Sequence, residues 1–430
     1  MLMLTLFIML ALYFFFGFNL MKEKKYFIFQ FGYISFYLLV APFLHILYGP
    51  ISIDLYYDDF IGSINKLNFI NIFNVVFIIF GLLIASRFKI NINTNKTINW
   101  FLLKKVSILY ILISTSYLLY LIGTGNYFYS EILEETSGAS LLEYMLIEST
   151  PLILSWFIIA HLKIRESKVF WRYFLLFTMV AIIFSGARGS RIAVIFQIIN
   201  FLIIYSIFIK SIDFRKIIIL LIFGWLFNIL FSNYKYGGIQ GLENFFTTGT
   251  ESAYIESKDN KTLHFLLGDL GRTDVQAKII SSIDAKEYSP SYSPQTYLYG
   301  LSLLLPGDTR NNFLSKRQLG TQAQYGFEAD SSYSSSRIYG LLGESLLNFG
   351  YYLIFPIFFL YGVIHFITLK LMYLFKNSAL ALFSPLLFFI PIYLLFYDFD
   401  NIVFQIFKNW FIPLFVFLLC LNKNLRKSRL

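Results

Sequence analysis

The chain has 430 residues, of which 57% are hydrophobic and only 14% charged, yet its formal net charge is +10. Soluble globular proteins carry roughly 45–50% apolar and about 25% charged residues, so this composition excludes that class. With 51 Phe, 31 Tyr and a mean hydropathy of +0.65, most of the chain suits lipid rather than water. The single cysteine, Cys420, excludes an internal disulfide framework.

A helix needs about 20 mostly apolar residues to cross the hydrocarbon core of a bilayer. Eleven segments meet or approach that requirement: 2–20, 26–48, 68–86, 106–122, 145–162, 172–185, 192–209, 217–232, 350–369, 379–397 and 402–421. Segment 172–185 is short and is retained because its neighbours need it for alternation. The first segment has no basic residues before it and is longer than the apolar stretch of a cleaved signal peptide. Lys22, Lys24 and Lys25 follow it, which predicts an anchor with the N-terminus outside.

The remaining basic residues test that orientation. Connections placed in the cytoplasm hold 21 of the 35 Lys and Arg and only three acids (Glu23, Glu166 and Asp213), a net +18 against −8 on the other side. Short-loop Lys and Arg set orientation, so the prediction is N-terminus out, C-terminus in. The basic excess is then an orientation signal, and nucleic acid is not needed to explain it. The expected fold is an all-α polytopic membrane protein of about eleven transmembrane helices.

One connection is long. Residues 1–232 read as a first bundle of eight spans, 233–338 as a large external loop, and 339–430 as a C-terminal bundle of three. The loop carries KYGGIQGLEN, EYSPSYSPQTYLYG and EADSSYSSSR, with the apolar stretches 262–271 and 296–305 arguing against disorder. Short amphipathic helices resting on the span ends are expected; 273–285, with Val275, Ile279, Ile280 and Ile283, has helical spacing.

Several chemistries leave no trace. There is no His-Glu-x-x-His, no Cys pair, no Walker loop and no GxGxxG. The histidines His45, His161, His264 and His365 are scattered. Charges within spans are few: Glu148 near the outer end of one, Lys408 about a third of the way into the last. An ion-coupled carrier would keep ionisable groups and broken helices at mid-membrane depth, and neither is clear.

The external side, which should be poor in arginine, holds a set of them. SGARGSR (185–191) forms the turn between the sixth and seventh spans. Gly186 and Gly189 permit a sharp turn with N–H groups facing an anion, and Arg188 and Arg191 add forked donors for phosphate oxygens. The alternative is a tight helix hairpin whose arginines reach lipid headgroups. SSSRIYGLLGESLLNFG (334–350) leads into the ninth span; as a helix it would place Arg337, Gly340 and Glu344 on one face with Asn348 a turn on. Glu344 could accept a proton from a sugar hydroxyl, or simply pair with Arg337 to fix the helix entry. Between these lie GRTD (Gly271, Arg272, Asp274) and LPGDTR (Pro306, Gly307, Asp308, Arg310), each also readable as a capped turn.

Taken in order, these motifs resemble the O-antigen polymerase family of bacterial oligosaccharide repeat-unit polymerases. The resemblance covers the many-span layout, the late external loop, the turn Ser185–Arg191, Arg272 and Asp274, TYLYGLSLLLPGD, and the helix entry carrying Gly343, Glu344, Asn348, Phe349 and Gly350. In the family an arginine often follows the loop proline directly, whereas here Gly307 follows and the nearest is Arg310.

The resemblance implies a metal-independent, cofactor-free glycosyltransferase of the bacterial plasma (inner) membrane with its active side outward. It would transfer a growing glycan from undecaprenyl diphosphate to the non-reducing end of a new lipid-linked repeat unit. The product would be an O-antigen of lipopolysaccharide, a capsule or an exopolysaccharide, and a chain-length regulator is a candidate partner. Arg188 and Arg272 would hold the diphosphate with Arg191, Arg310 and Arg337 in support, and Glu344 or Asp274 would be the base. Tyr288, Tyr292, Tyr297 and Tyr299 could stack on sugars or anchor in lipid. An O-antigen ligase joining finished glycan to a lipid core is the alternative enzyme, and a lipid-linked oligosaccharide flippase the alternative of another class.

Overall fold

The computed structural model describes residues 1–51, 55, 57, 59–92, 96–125, 127, 141–187, 191–248, 263–305, 312–326 and 337–422. The described residues form helices and no strand; the one β-bridge joins Ile98 to Leu421. Among the described residues, eight helices are long and apolar enough to cross a membrane: α1 (Leu2–Leu20), α2 (Lys24–Tyr48), α3 (Phe60–Ser86), α4 (Trp100–Gly123), α5 (Met145–Ile164), α14 (Ile354–Phe375), α15 (Ala379–Phe396) and α16 (Phe399–Cys420). Shorter apolar helices are α6 (Trp171–Gly186) and α7 (Ile192–Phe208). Segment 217–232 lies within α8 (Phe214–Thr248), which kinks at Gly238. Helices satisfy every backbone polar group internally, as lipid requires. Their outer faces carry exposed Phe7, Phe15, Phe80, Leu109, Leu112 and Leu360, the reverse of a water-facing surface. This is an all-α, multi-pass membrane protein.

The described residues between 263 and 349 form shorter helices: the π-helical α9 (His264–Gly271), α10 (Thr273–Asp284), α11 (Gln295–Ser302), α12 (Lys316–Tyr325) and α13 (Gly340–Phe349). The expected helix over 273–285 is present as α10, but it does not rest on its neighbours by one apolar face. It is buried all round from Thr273 to Ser282. Burial of its polar side is possible because partners meet it: Tyr57 Oη donates to the Asp274 carbonyl, Gln276 reaches Tyr37, and Lys278 lies 3.4 Å from Glu287.

Two compact units result, each drawn from three stretches of the chain. The first comprises Met1–Ile92, Asn260–Leu374 and Leu387–Phe404; the second comprises Asn93–Asp259, Phe375–Leu386 and Gln405–Leu430. Too short to bury a core of their own, the helices between 263 and 349 fold with α1–α3.

In the first unit α3 and α14 cross at backbone contact through Gly81 and Gly362. A Cβ on Gly81 would stand 2.3 Å from the Phe359 carbonyl oxygen, and one on Gly362 the same distance from that of Ile78. Close approach through small residues is a common device for packing helices in lipid. A buried relay adds to it: Tyr13 Oη lies 2.8 Å from His365 Nδ1, His365 Nε2 2.8 Å from Gln30 Oε1, and Gln30 Nε2 donates to the Phe388 carbonyl at 2.7 Å. In the second unit the core gathers around Trp156, Phe174, Phe177 and Phe201, with the last two rings stacked at 4.7 Å.

Candidate functional site

The first unit holds a buried polar network at the turn Tyr397–Asp400, where α15 gives way to α16. Asp398 is fully buried; its Oδ1 accepts the N–H groups of Tyr339 (2.8 Å) and Gly340 (2.9 Å), and its Oδ2 accepts Lys316 Nζ (2.7 Å). The carboxylate therefore caps α13 from a distant part of the chain and holds the first residue of α12. Lys316 also lies 3.4 Å from Asp400 Oδ1.

One residue along, the Phe399 N–H donates to Glu344 Oε2 at 2.8 Å, and Thr296 Oγ1 donates to Glu344 Oε1. Asn348 donates to Thr296 Oγ1 at 2.7 Å and accepts the Thr296 N–H at 3.1 Å. Burial pushes the Glu344 carboxyl up to about 8, and the charge of Asp398 adds to the effect against the hydrogen bonds from Thr296 and Phe399. Burial alone would lower the Lys316 ammonium; the attraction of Asp398 and Asp400 outweighs it and holds the group above its ordinary value.

Arg272 stands at the junction of α9 and α10 with left-handed backbone angles, φ 57° and ψ 11°. Such a conformation in a non-glycine residue costs roughly 1–3 kcal/mol and gathers at functional sites. Its guanidinium lies 5.5 Å over the Phe396 ring, and its charge acts on Tyr33, Tyr37 and Tyr397. Nε is buried without a hydrogen-bond partner, and among the described residues no carboxylate pairs with Arg272. Tyr33 Oη is likewise buried without a partner. Gln276 Nε2 donates to Tyr37 Oη and to the Tyr339 carbonyl, leaving the Tyr37 hydroxyl proton free to point elsewhere. The π-turn Phe36–Val40 in α2 displaces the helical register where Tyr37 sits. A guanidinium with unpartnered N–H and O–H groups around it is suited to an oxyanion.

The residues singled out in the sequence fall in different places. Arg272 and Glu344 lie in the first unit, joined through Gln276, Tyr339 and Asp398. Asp274 is fully buried, and its Oδ1 accepts the Val275 N–H at 2.8 Å, an N-terminal position on α10. Arg337 does not share a helical face with Glu344. The helix begins at Gly340, whose φ of +67° turns the chain, because Asp398 takes up the N–H groups that set the start. Glu344 meets Thr296 and Phe399 at the place where Arg337 was expected. Asn348 does follow a turn on, donating to the Glu344 carbonyl at 2.8 Å. Arg188, Pro306, Gly307, Asp308 and Arg310 lie outside the described residues, as does the side chain of Arg191.

Lys316, Asp398, Thr296 and Gln276 were not singled out. The only sequence signal for them is the paired acids of Tyr397-Asp398-Phe399-Asp400 at the boundary between two apolar segments.

The second unit brings together the two charges noted within spans. Lys408 Nζ lies 3.8 Å from Glu148 Oε1, both side chains buried. Gln197 donates to the Glu148 carbonyl (3.3 Å) and to Asn409 Oδ1 (3.0 Å), and Asn200 donates to Gln197 (3.2 Å). Among the described residues no group of three or more His, Cys, Asp or Glu is placed to hold a metal ion. Comparison with family models, with curated proteins and with solved structures returns no match.

Proposed function

We propose that this protein polymerises lipid-linked oligosaccharide repeat units, transferring a growing glycan from undecaprenyl diphosphate to an incoming lipid-linked unit at the outer leaflet of a bacterial plasma membrane. The observation that carries the reading is Arg272: on a strained backbone, its guanidinium has a buried, unpartnered Nε and no carboxylate partner among the described residues, beside the Tyr33 and Tyr37 hydroxyls with hydrogen bonds still to make. A diphosphate leaving group needs such donors, and they gain strength away from water. The order of the external motifs and the likeness to O-antigen polymerases supply the rest of the reading.

In this proposal α6, α7 and segment 217–232 also span, giving eleven crossings with the N-terminus out and the C-terminus in, as the distribution of Lys and Arg supports. Arg272 binds the diphosphate together with Arg188, and Arg191, Arg310 and Arg337 assist. Both Glu344 oxygens already accept hydrogen bonds within a closed network, which suits a positioning role for the Asp398 turn. Asp274 is then the candidate base.

Arg272→Ala, at normal membrane levels, should abolish long chains and leave single repeat units on a glycan gel, and Arg272→Lys should restore them only in part for want of the bidentate fork. Unchanged chain length in Arg272→Ala would overturn the reading. Long glycan stranded on the carrier lipid in a null strain would indicate a ligase instead. The Glu148–Lys408 pair favours a second reading, a flippase for the same lipid-linked units, because buried charges within spans mark transport pathways. Single units trapped on the cytoplasmic leaflet of the null strain would select it.

A further inference from the structure

Helix α11 has the polarity opposite to that of a helix in a water-exposed loop. Its buried positions are Thr296, Gly300 and Ser302, whereas Leu298, Leu301, Leu304 and Leu305 of the helix and its closing turn are 36%, 48%, 43% and 56% exposed. Those leucines recur at helical spacing and form one stripe. In water this arrangement would be reversed.

The helix cannot rotate to hide the stripe, because its polar side is fastened. Thr296 bonds Glu344 and Asn348. Gly300 presses on the start of α16: a Cβ there would stand 2.9 Å from Phe399 Cδ1 and 3.0 Å from the Asp400 nitrogen. Tyr297 adds its ring between Phe349 and Phe399, at 6.1 and 5.5 Å.

The stripe also continues a surface that already faces lipid. Helix α11 lies against the first turn of one membrane-spanning helix, α16. Beside it, exposed Tyr352 and Leu353 lead into another, α14, and Tyr352 meets exposed Tyr292 edge to face at 5.8 Å. Aromatic residues with one apolar and one polar end collect at the membrane–water boundary, and a helix with an apolar stripe settles in the same plane.

We propose that α11 and the turn Leu303–Leu305 lie in the membrane interface, with Leu298, Leu301, Leu304 and Leu305 against lipid chains. The partner of this surface is the bilayer itself. Through Thr296 the embedded helix is tied to Glu344, so the network around the Asp398 turn sits at headgroup depth. The inference rests on the membrane-spanning helices alone and holds whatever reaction the protein performs.

The test places a nitroxide label at Leu301→Cys in the full chain with Cys420→Ser, reconstituted in nanodiscs of phosphatidylethanolamine and phosphatidylglycerol. Collision with molecular oxygen reports lipid, and collision with a water-soluble nickel chelate reports solvent. Lys286→Cys, exposed after α10, and Leu360→Cys, exposed on α14, give the aqueous and lipid references. The oxygen-to-nickel ratio at position 301 is expected to match position 360. A ratio matching position 286 overturns the proposal, and so does shielding from both probes, which would mean that protein covers the stripe. Leu304→Cys repeats the measurement if Leu301→Cys fails to fold.

Discussion

The pair Lys316–Asp398 offers the sharpest test of how the helices between 263 and 349 are held. Both side chains are buried and 2.7 Å apart, so removing one leaves the other charged without water. Breaking a buried pair in this way costs about 3–5 kcal/mol. The surroundings make the two single changes unequal. Lys316→Met leaves the buried Asp398 and its neighbour Asp400 without their shared cation, placing it at the upper end. Asp398→Asn leaves Lys316 with Asp400 at 3.4 Å, and the new amide oxygen can still accept the N–H groups of Tyr339 and Gly340, placing it at the lower end. The double variant should lose less than the sum of the singles, by about 2–3 kcal/mol of coupling. Equilibrium unfolding of the four proteins by SDS titration in mixed micelles measures the cycle. Additive losses, or a Lys316→Met loss below about 0.5 kcal/mol, the ordinary range for surface changes, would refute the reasoning.

Three further outcomes follow from single contacts. Glu344 binds its proton more tightly folded than unfolded, so its contribution to stability is complete below its ordinary value of 4.5 and lost as pH rises through about 8; Glu344→Gln, which mimics the protonated acid, should flatten a melting-temperature profile across that window, and an unaltered slope would count against it. In the relay of α1, α2 and α14, Gln30 donates to Phe388, so its oxygen accepts from His365 Nε2 and the Tyr13 hydroxyl donates to Nδ1. His365→Leu therefore strands two buried groups at about 1–3 kcal/mol each, whereas Tyr13→Phe strands one; equal losses in SDS unfolding would contradict the assignment. Gly81→Ala forces a Cβ against backbone that cannot yield, and should destabilise by about 1–3 kcal/mol, with reduced yield of monodisperse protein as a second readout.

How much of this was legible in the sequence depends on the range of the interaction. Spans declare themselves locally, because about 20 apolar residues in a row satisfy the bilayer whatever their neighbours do. The helix over 273–285 was legible for the same reason, but not its complete burial, which depends on Tyr37 and Tyr57 from other parts of the chain. Lys316 and Asp398 are 82 positions apart, and each alone reads as a solvated charge at the edge of an apolar segment. Glu148 and Lys408 were visible singly, but no pattern in the sequence joins them. The shared face expected for Arg337 and Glu344 assumed a continuous helix, and Gly340 at φ +67° begins it too late.

Arg272 stood out in the sequence as a cation on the side read as external, but its isolation could not be read there, since Asp274 lies two positions along the chain and Asp398 acts on the same Tyr37. The structure gives those acids other work. Asp398 takes Lys316 and two backbone N–H groups, Glu344 takes Thr296 and Phe399, and Asp274 takes the N–H of Val275. Had Asp274 turned to its neighbour two residues back, Arg272 would be a neutralised structural pair and would hold no anion. Because those carboxylates are engaged elsewhere, the guanidinium has none of them as a partner, as the proposed diphosphate site requires. The polar network that fastens α11, α12 and α13 to the Asp398 turn is therefore also what leaves Arg272 available.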